Sequence, residues 1–321
     1  MIYLIITVLF VTLMLLYFKV ADKFNIVDKP NERSSHTAVT LRGGGIIFWF
    51  AALFYFVLHV KTNYLFFTGI TLVSLVSFVD DIQSLSGKLR AAVQFIAISL
   101  LFYDVNLFNL EPWWIILIAY IVSVGITNAY NFMDGINGIT GIYTISVLLS
   151  FFVVNNWMDN QLVNKFVDND FLIFPLIASV VFLYFNYRKK AKCFAGDVGS
   201  IAIAFWLIYL MMLLILKTNS IIWLLFLAVY GVDTVCTIVH RIWLKQNIFK
   251  PHRLHFYQIL SNERKIDHRL VSAGYGLLQL GISLIVVRLY GAISDAYLAI
   301  IVLLPMILLY LLKFKLIKKI T

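Results

Sequence analysis

The sequence predicts an all-α, polytopic membrane protein of ten or eleven transmembrane helices. Three observations predict it. The 321 residues are 62% hydrophobic and only 13% charged, with a mean hydropathy of +0.91, whereas a soluble domain is about one quarter charged. Apolar runs approaching the roughly 20 residues needed to cross a bilayer recur along the whole chain. Lys and Arg crowd into alternate connecting segments. Backbone polar groups in lipid must be satisfied within their own segment, so the runs are helices. No stretch between them can hold a soluble domain, and residues 1–321 read as one integral membrane unit.

Eleven spans are expected, at 1–18, 45–60, 64–80, 89–103, 113–129, 138–154, 171–187, 198–216, 220–238, 271–290 and 293–313. Several are short, so one pair could be re-entrant. The opening residues lack a basic leader region and no cleavage site follows, so the first span is expected to be retained. With the N-terminus outside, the inner segments and the C-terminal tail hold 22 of the 26 Lys and Arg, leaving Lys61, Lys165, Lys217 and Arg288 outside. The positive-inside rule favours that topology, with the C-terminus cytoplasmic, and the basic tail meets an anionic leaflet. Cys193 and Cys236 form no framework and read as core thiols on the reducing side. The net charge of +10 follows from the inner loops, and no basic extramembrane domain is present for nucleic acid.

The polar residues fall in five cytoplasmic segments, at 19–44, 81–90, 128–137, 188–197 and 239–270. In the first, Lys29, Arg33, His36 and Arg42 precede Gly43, Gly44 and Gly45, a pattern suited to reading phosphate or to anchoring the loop inside. Asp80 and Asp81 end the third span, where acids oppose the helix dipole. Adjacent helical residues point about 100° apart, so only one of the two is expected to be central to a site. Asn128, Asn131 and Asp134 are three apart and share a face if the helix continues that far, with Asn137 three further on. Polar and ionisable groups inside a membrane protein are functional candidates by default. In AGDVGS, 195–200, Gly196 and Gly199 allow close backbone approach, and Asp197 or Ser200 is a candidate helix cap. His252, Arg253 and His255 follow Pro251; without further ligands at zinc spacing they read as an anion-binding loop rather than a metal site. The outer segment 155–170 holds acids in no tight constellation.

Acids, amides and cations on one membrane face suit hard-cation and phosphate chemistry. A site at the inner interface can meet one substrate from water and another from lipid, which points to phosphoryl transfer from a nucleotide-activated donor. No internal repeat supports an inverted-repeat transporter, although a transporter of an anionic substrate is the rival from another class. The D-G-x-x-A-R signature of the CDP-alcohol phosphotransferases is absent after Asp134-Gly135.

The order of the five clusters resembles the polyprenyl-phosphate N-acetylhexosamine-1-phosphate transferases, the superfamily that also holds phospho-MurNAc-pentapeptide transferase. The matching pieces are D-x-P-x-x-R-x-x-H and GGG within 28–45, the Asp80-Asp81 pair, N-x-x-N-x-x-D-G at 128–135, G-D-x-G-S at 196–200 and H-R-x-H at 252–255. The H-R-x-H form looks like the branch that starts O-antigen and related surface glycans. The chain departs from the pattern in lacking prolines at 38–41. It also carries Ser84 where the pentapeptide branch has Lys, which argues against that branch's donor.

The resemblance implies a cytoplasm-facing cleft in a bacterial inner membrane. It also implies transfer of sugar-1-phosphate from a UDP-N-acetyl sugar to undecaprenyl phosphate, with release of UMP and need of magnesium, or manganese in its place. Carried over, Asp197 and Asn131 are the metal residues. Asp80 or Asp81 orients or deprotonates the lipid phosphate, and Asn128 and Asp134 line the nucleotide site. Asn137 contacts uracil, Arg90 and Gly196 meet phosphate, and His252, Arg253 and His255 bind the diphosphate or sugar. The superfamily is also compatible with a homodimer.

Overall fold

A computed structural model describes residues 1–28, 39–59, 62–158, 165–248 and 252–317. Lys29, Arg33 and His36 of the basic loop, together with Lys61 and Pro251, lie outside the described residues.

The chain is a bundle of helices in the order the apolar runs predict: α1 (Ile2–Lys23), α2 (Ile47–Leu58), α3 (Tyr64–Ile82), α4 (Gly87–Asp104), short α5 (Leu107–Leu110), α6 (Trp113–Met133), α7 (Ile139–Trp157), α8 (Asn169–Asn186), α9 (Gly196–Thr218), α10 (Ala228–Trp243), short α11 (Phe256–Gln258), α12 (His268–Leu289) and α13 (Asp295–Ile317). All eleven expected spans fall on helices. Among the described residues nine are long and apolar enough to cross a membrane, the seventh of which joins a 3-10 turn at Ile221–Leu227 to α10. The helix α2 is shorter, at 12 residues, and α4 carries two basic residues, Lys88 and Arg90, in its first turn.

Local chemistry sets several helix ends. The Ser86 hydroxyl accepts from the Leu89 N–H at 3.3 Å to start α4. Pro112 precedes α6, where a missing N–H costs nothing. The Asp267 carboxylate accepts from the Arg269 N–H at 2.9 Å at the head of α12.

The helix α9 is the axis of the bundle. It packs against α3, α6 and α2, and nearly every residue from Val198 to Met211 is buried. In lipid the drive for such packing is close contact and interhelical hydrogen bonding rather than water exclusion. Aromatic side chains supply much of that contact: Phe66, Phe171, Trp206 and Tyr209 stack edge and face between α3, α8 and α9. A second polar-aromatic layer joins α7, α10 and α12. There the Gln279 amide accepts from Tyr143 Oη at 2.7 Å and from the Val229 N–H at 3.0 Å, and donates to the Leu225 carbonyl at 3.0 Å.

A short antiparallel ribbon pairs β1 (Val27–Asp28) with β2 (Thr40–Leu41). It stitches the segment around Arg42 onto the approach to α9. The Phe194 N–H donates to the Leu41 carbonyl at 2.8 Å, Gly44 N–H to Phe194 at 2.8 Å and Gly45 N–H to Ala195 at 3.0 Å. A Cβ on Gly45 would overlap the Cα of Gly199, so both positions are glycine because two backbones touch there.

Candidate active site

The ends of α3, α4, α6 and α9 and the ribbon-to-α2 segment meet at one end of the bundle, and the predicted acids meet with them. Asp81, the penultimate residue of α3, reaches the head of α9. Its Oδ1 accepts from the Asp197 N–H at 2.9 Å and its Oδ2 from the Val198 N–H at 3.1 Å. An acid from another helix therefore caps α9, not Asp197 or Ser200 as the sequence suggested. A carboxylate suits that position because the first-turn N–H groups have no partner within the helix and carry the positive end of its dipole. Gly196 has φ +71°, and a Cβ there would run into Asp81 Oδ2, so glycine is what lets the cap close.

Two arginines tie three carboxylates together. Arg42 Nε lies 2.7 Å from Asp81 Oδ1 and its Nη2 lies 3.1 Å from Asp197 Oδ1. Arg90 Nη1 lies 2.9 Å from Asp80 Oδ2 and 3.4 Å from Asp197 Oδ2. Asp80 Oδ1 also accepts from the Leu85 N–H at 2.6 Å. The expectation that only one of Asp80 and Asp81 could be central is thus corrected. They do diverge on the helix, but each meets its own arginine, and both arginines converge on Asp197. Arg42 was legible only as one basic residue among several in its loop; here it is the cation between two acids.

Asn131 donates to Ser200 Oγ at 3.2 Å, three residues along α9 from Asp197. The helix α6 stops at Met133, so the shared helical face holds for Asn128 and Asn131 but not for Asp134. Asp134 caps the helix end and accepts from Thr140 Oγ1 at 2.6 Å. The surrounding protein pushes its carboxyl up to about 6, with the Thr140 bond opposing that shift. Asn128 is half-buried on α6. Asn137 is buried away from the acids, its amide donating to the Arg188 carbonyl at 2.8 Å and its own carbonyl accepting from Ser272 Oγ at 2.8 Å.

The H-R-x-H loop docks beside the same helix end. Tyr257 Oη donates to the Phe132 carbonyl at 2.9 Å, and the His255 ring sits 6.3 Å from that of Phe132. His252 and His255 are neighbours, with ring centroids 4.9 Å apart. Burial, then the nearby His255, Arg241 and Lys313, push the His252 imidazole down to about 3. Beneath the loop lies an acid the sequence reading passed over, Asp233 of α10, which accepts from His255 Nδ1 at 3.2 Å and from the Phe256 N–H at 2.9 Å. An ionisable residue inside an apolar run was the signal that could have found it.

At the opposite end, Asp170 of the 155–170 segment does join a constellation. His59 Nε2 lies 3.0 Å from Asp170 Oδ2, and Tyr3 Oη donates to Asp170 Oδ1 at 2.8 Å. Its partners come from α1 and the end of α2, which is why sequence proximity hid it.

Among the described residues no group of three or more His, Cys, Asp or Glu side chains is gathered tightly enough to hold a metal by itself. Magnesium does not need such a cage: one or two carboxylates, with water and substrate phosphates, are its usual set. Asp197 and the Asn131 amide are hard oxygen ligands of that kind, and the donor set fits the ion.

The family model for glycosyl transferase family 4 matches residues 63–215, the stretch that carries Asp80, Asp81, Arg90, Asn131 and Asp197. Over that stretch the chain is similar to glycosyl transferase family 4. The relatives it resembles carry two kinds of name. The chain is 29% identical over 270 residues to an undecaprenyl-phosphate alpha-N-acetylglucosaminyl 1-phosphate transferase of Salmonella typhi, covering 75% of this chain and 71% of the relative. It is 28% identical over 296 residues to a probable undecaprenyl-phosphate N-acetylglucosaminyl 1-phosphate transferase of Bacillus subtilis, covering 86% and 77%. It is also 29% identical over 269 residues to a phospho-N-acetylmuramoyl-pentapeptide-transferase of Thermotoga neapolitana, covering 78% and 85%. Identity alone therefore does not choose the sugar.

Proposed function

We propose that the chain transfers an N-acetylhexosamine-1-phosphate from a UDP-sugar to undecaprenyl phosphate, releasing UMP, at the inner face of a bacterial cytoplasmic membrane. The observation that carries this reading is the Asp80, Asp81 and Asp197 set bridged by Arg42 and Arg90 at the head of α9, in a chain similar to glycosyl transferase family 4 and to relatives named for this chemistry. GlcNAc or a 6-deoxy-N-acetylhexosamine is the proposed sugar, and a surface polysaccharide such as O-antigen the proposed destination.

Phosphoryl transfer asks the protein mainly for position and charge. A lipid phosphate monoester has its second pKa near 6, so it is mostly dianionic at neutral pH and needs placing more than deprotonating. Asp80 and Asp81 are fixed by Arg90, Arg42 and backbone N–H groups, so they hold those arginines rigidly where phosphate oxygens would approach. Each guanidinium can exchange part of its carboxylate contact for a phosphate oxygen, and its fork suits that exchange. Asp197 and Asn131 would hold magnesium, which neutralises charge on the donor's diphosphate and leaving group. His252, Arg253 and His255 would bind the diphosphate or sugar from the side of α6.

Donor labelled with 32P in the β-phosphate tests the reading. The label is expected in a lipid-linked diphosphate sugar, with unlabelled UMP as co-product. Label left in UDP would mean plain glycosyl transfer, and label carried unchanged across a vesicle membrane would mean transport; either sinks the proposal.

A further inference from the structure

Asp233 sits in the otherwise apolar run of α10, 3% exposed, and serves five donors. Its Oδ1 accepts from His255 Nδ1 at 3.2 Å, from Thr237 Oγ1 at 3.2 Å and from the Phe256 N–H at 2.9 Å. Its Oδ2 accepts from Tyr275 Oη at 2.7 Å and from the Tyr257 N–H at 3.3 Å. Donors on α10, the loop and α12 thus converge on one carboxylate. A carboxylate with that many donors is the ionised, acceptor-only form. The imidazole nitrogen facing it must then carry a proton, which fixes the tautomer from geometry alone.

His255 is 2% exposed, and its other nitrogen, Nε2, is sealed from water with no partner among the described residues. A buried polar atom left without a partner costs about 1–3 kcal/mol, an unusual thing to keep in so well-connected a loop. His252 differs: its Nδ1 accepts from the Leu254 N–H at 3.2 Å, and among the described residues no carboxylate bond orients it. Of the two histidines, only His255 is aimed by an acid. Its ring lies 6.3 Å from that of Phe132, near the end of α6.

We propose that Asp233 is a positioning residue for His255: it fixes the ring with Nδ1–H turned into the protein, so that Nε2 is held for an anionic oxygen of the donor's diphosphate. The role rests on the transferase reading above. Protonated at both nitrogens, the ring pairs with Asp233 and offers Nε2–H as a charge-assisted donor to that oxygen. Buttressing of a functional imidazole by a carboxylate is typically worth a 10- to 100-fold effect where it has been measured around metals.

Two measurements test the assignment. In the first, Asp233→Asn is expected to lower kcat/KM for the UDP-sugar by about 10- to 100-fold, leaving KM for undecaprenyl phosphate within about twofold. In a His255→Ala background the same change is expected to cost less than about threefold, since residues acting as a unit are non-additive. Equal losses in both backgrounds, or parallel losses for donor and acceptor, would make Asp233 a structural buttress only. The second measurement needs no activity and no variant of Asp233. The 15N spectrum of histidine-labelled wild-type protein, with His255 assigned by its absence in His255→Gln, is expected to show a protonated, hydrogen-bonded Nδ1. A neutral ring with its only proton on Nε2 overturns the proposal. Wild-type protein inert with every donor would instead sink the transferase reading, and the spectrum would still decide the orientation of the ring.

Discussion

Replacing Asp81 by Asn should destabilise the bundle and not merely its chemistry. The side chain is fully buried and serves three donors: Arg42 Nε at 2.7 Å, the Asp197 N–H at 2.9 Å and the Val198 N–H at 3.1 Å. An amide has one acceptor oxygen. In its best orientation that oxygen keeps Arg42 and Asp197 and turns its NH2 against the Val198 N–H. One buried backbone donor is then orphaned, at about 1–3 kcal/mol. The two bonds that remain lose their carboxylate charge and about half their strength, roughly another 1 kcal/mol together. The sum is about 3 kcal/mol. At about 2–4 °C per kcal/mol, the melting temperature in detergent should fall by roughly 6–12 °C. Asp80→Asn is the control. It loses charge on Arg90, whose side chain is 40% exposed, and pairs that open to water are worth about 0–1 kcal/mol. Thermal melts followed by tryptophan emission would read both. An Asp81→Asn protein that melts with the wild type, or no lower than Asp80→Asn, would refute the inter-helix cap as a source of stability.

Other consequences follow from the same geometry. Gly45→Ala pushes a methyl into the backbone of Gly199 and should cost about 1–3 kcal/mol as overpacking, seen as a lower melting temperature and lower yield. Asp197→Asn should abolish UMP release while the protein still inserts and purifies; full turnover in that variant would remove Asp197 from the reaction. His255→Ala should raise KM for the donor more than it lowers protein abundance, and an unchanged donor KM would return the loop to a solvated role. Asp267 is held down to about 2 by Arg269 through side-chain and backbone hydrogen bonds. Its folded value lies below the unfolded one, so its contribution is present above about pH 4 and is lost as pH falls toward 2. Asp267→Asn should flatten the acid limb of a stability–pH curve, and a limb of unchanged slope would remove this group from it.

Much of the architecture was legible because lipid imposes it. An apolar run long enough to cross must be a helix, and each expected span falls on one. The acids were legible for a related reason: Asp80, Asp81, Asp134 and Asp197 stand at helix ends, where charge in an apolar chain asks for explanation. What was hidden depends on partners distant in sequence. Arg42 is singled out from its basic neighbours only by the ribbon that binds Leu41 to Phe194. The capping of α9 was expected from within its own turn and comes instead from a residue 116 positions away. Asp233 was absorbed into the ninth span because its partner His255 is 22 residues on, beyond a loop. The three-apart spacing from Asn128 to Asp134 suggested a continuous helix, but Asp134 turns away to meet Thr140.

The central claim is that one end of this bundle catalyses a lipid-dependent phosphoryl transfer. Its most direct test is UMP release by the purified protein, given undecaprenyl phosphate and a panel of UDP-N-acetyl sugars, with magnesium and with a chelator. Release that requires the lipid, the metal and one preferred donor is the predicted result, and the preferred donor would identify the sugar. Well-folded protein that releases no UMP from any donor in the panel, or that does so without the lipid, would contradict the account.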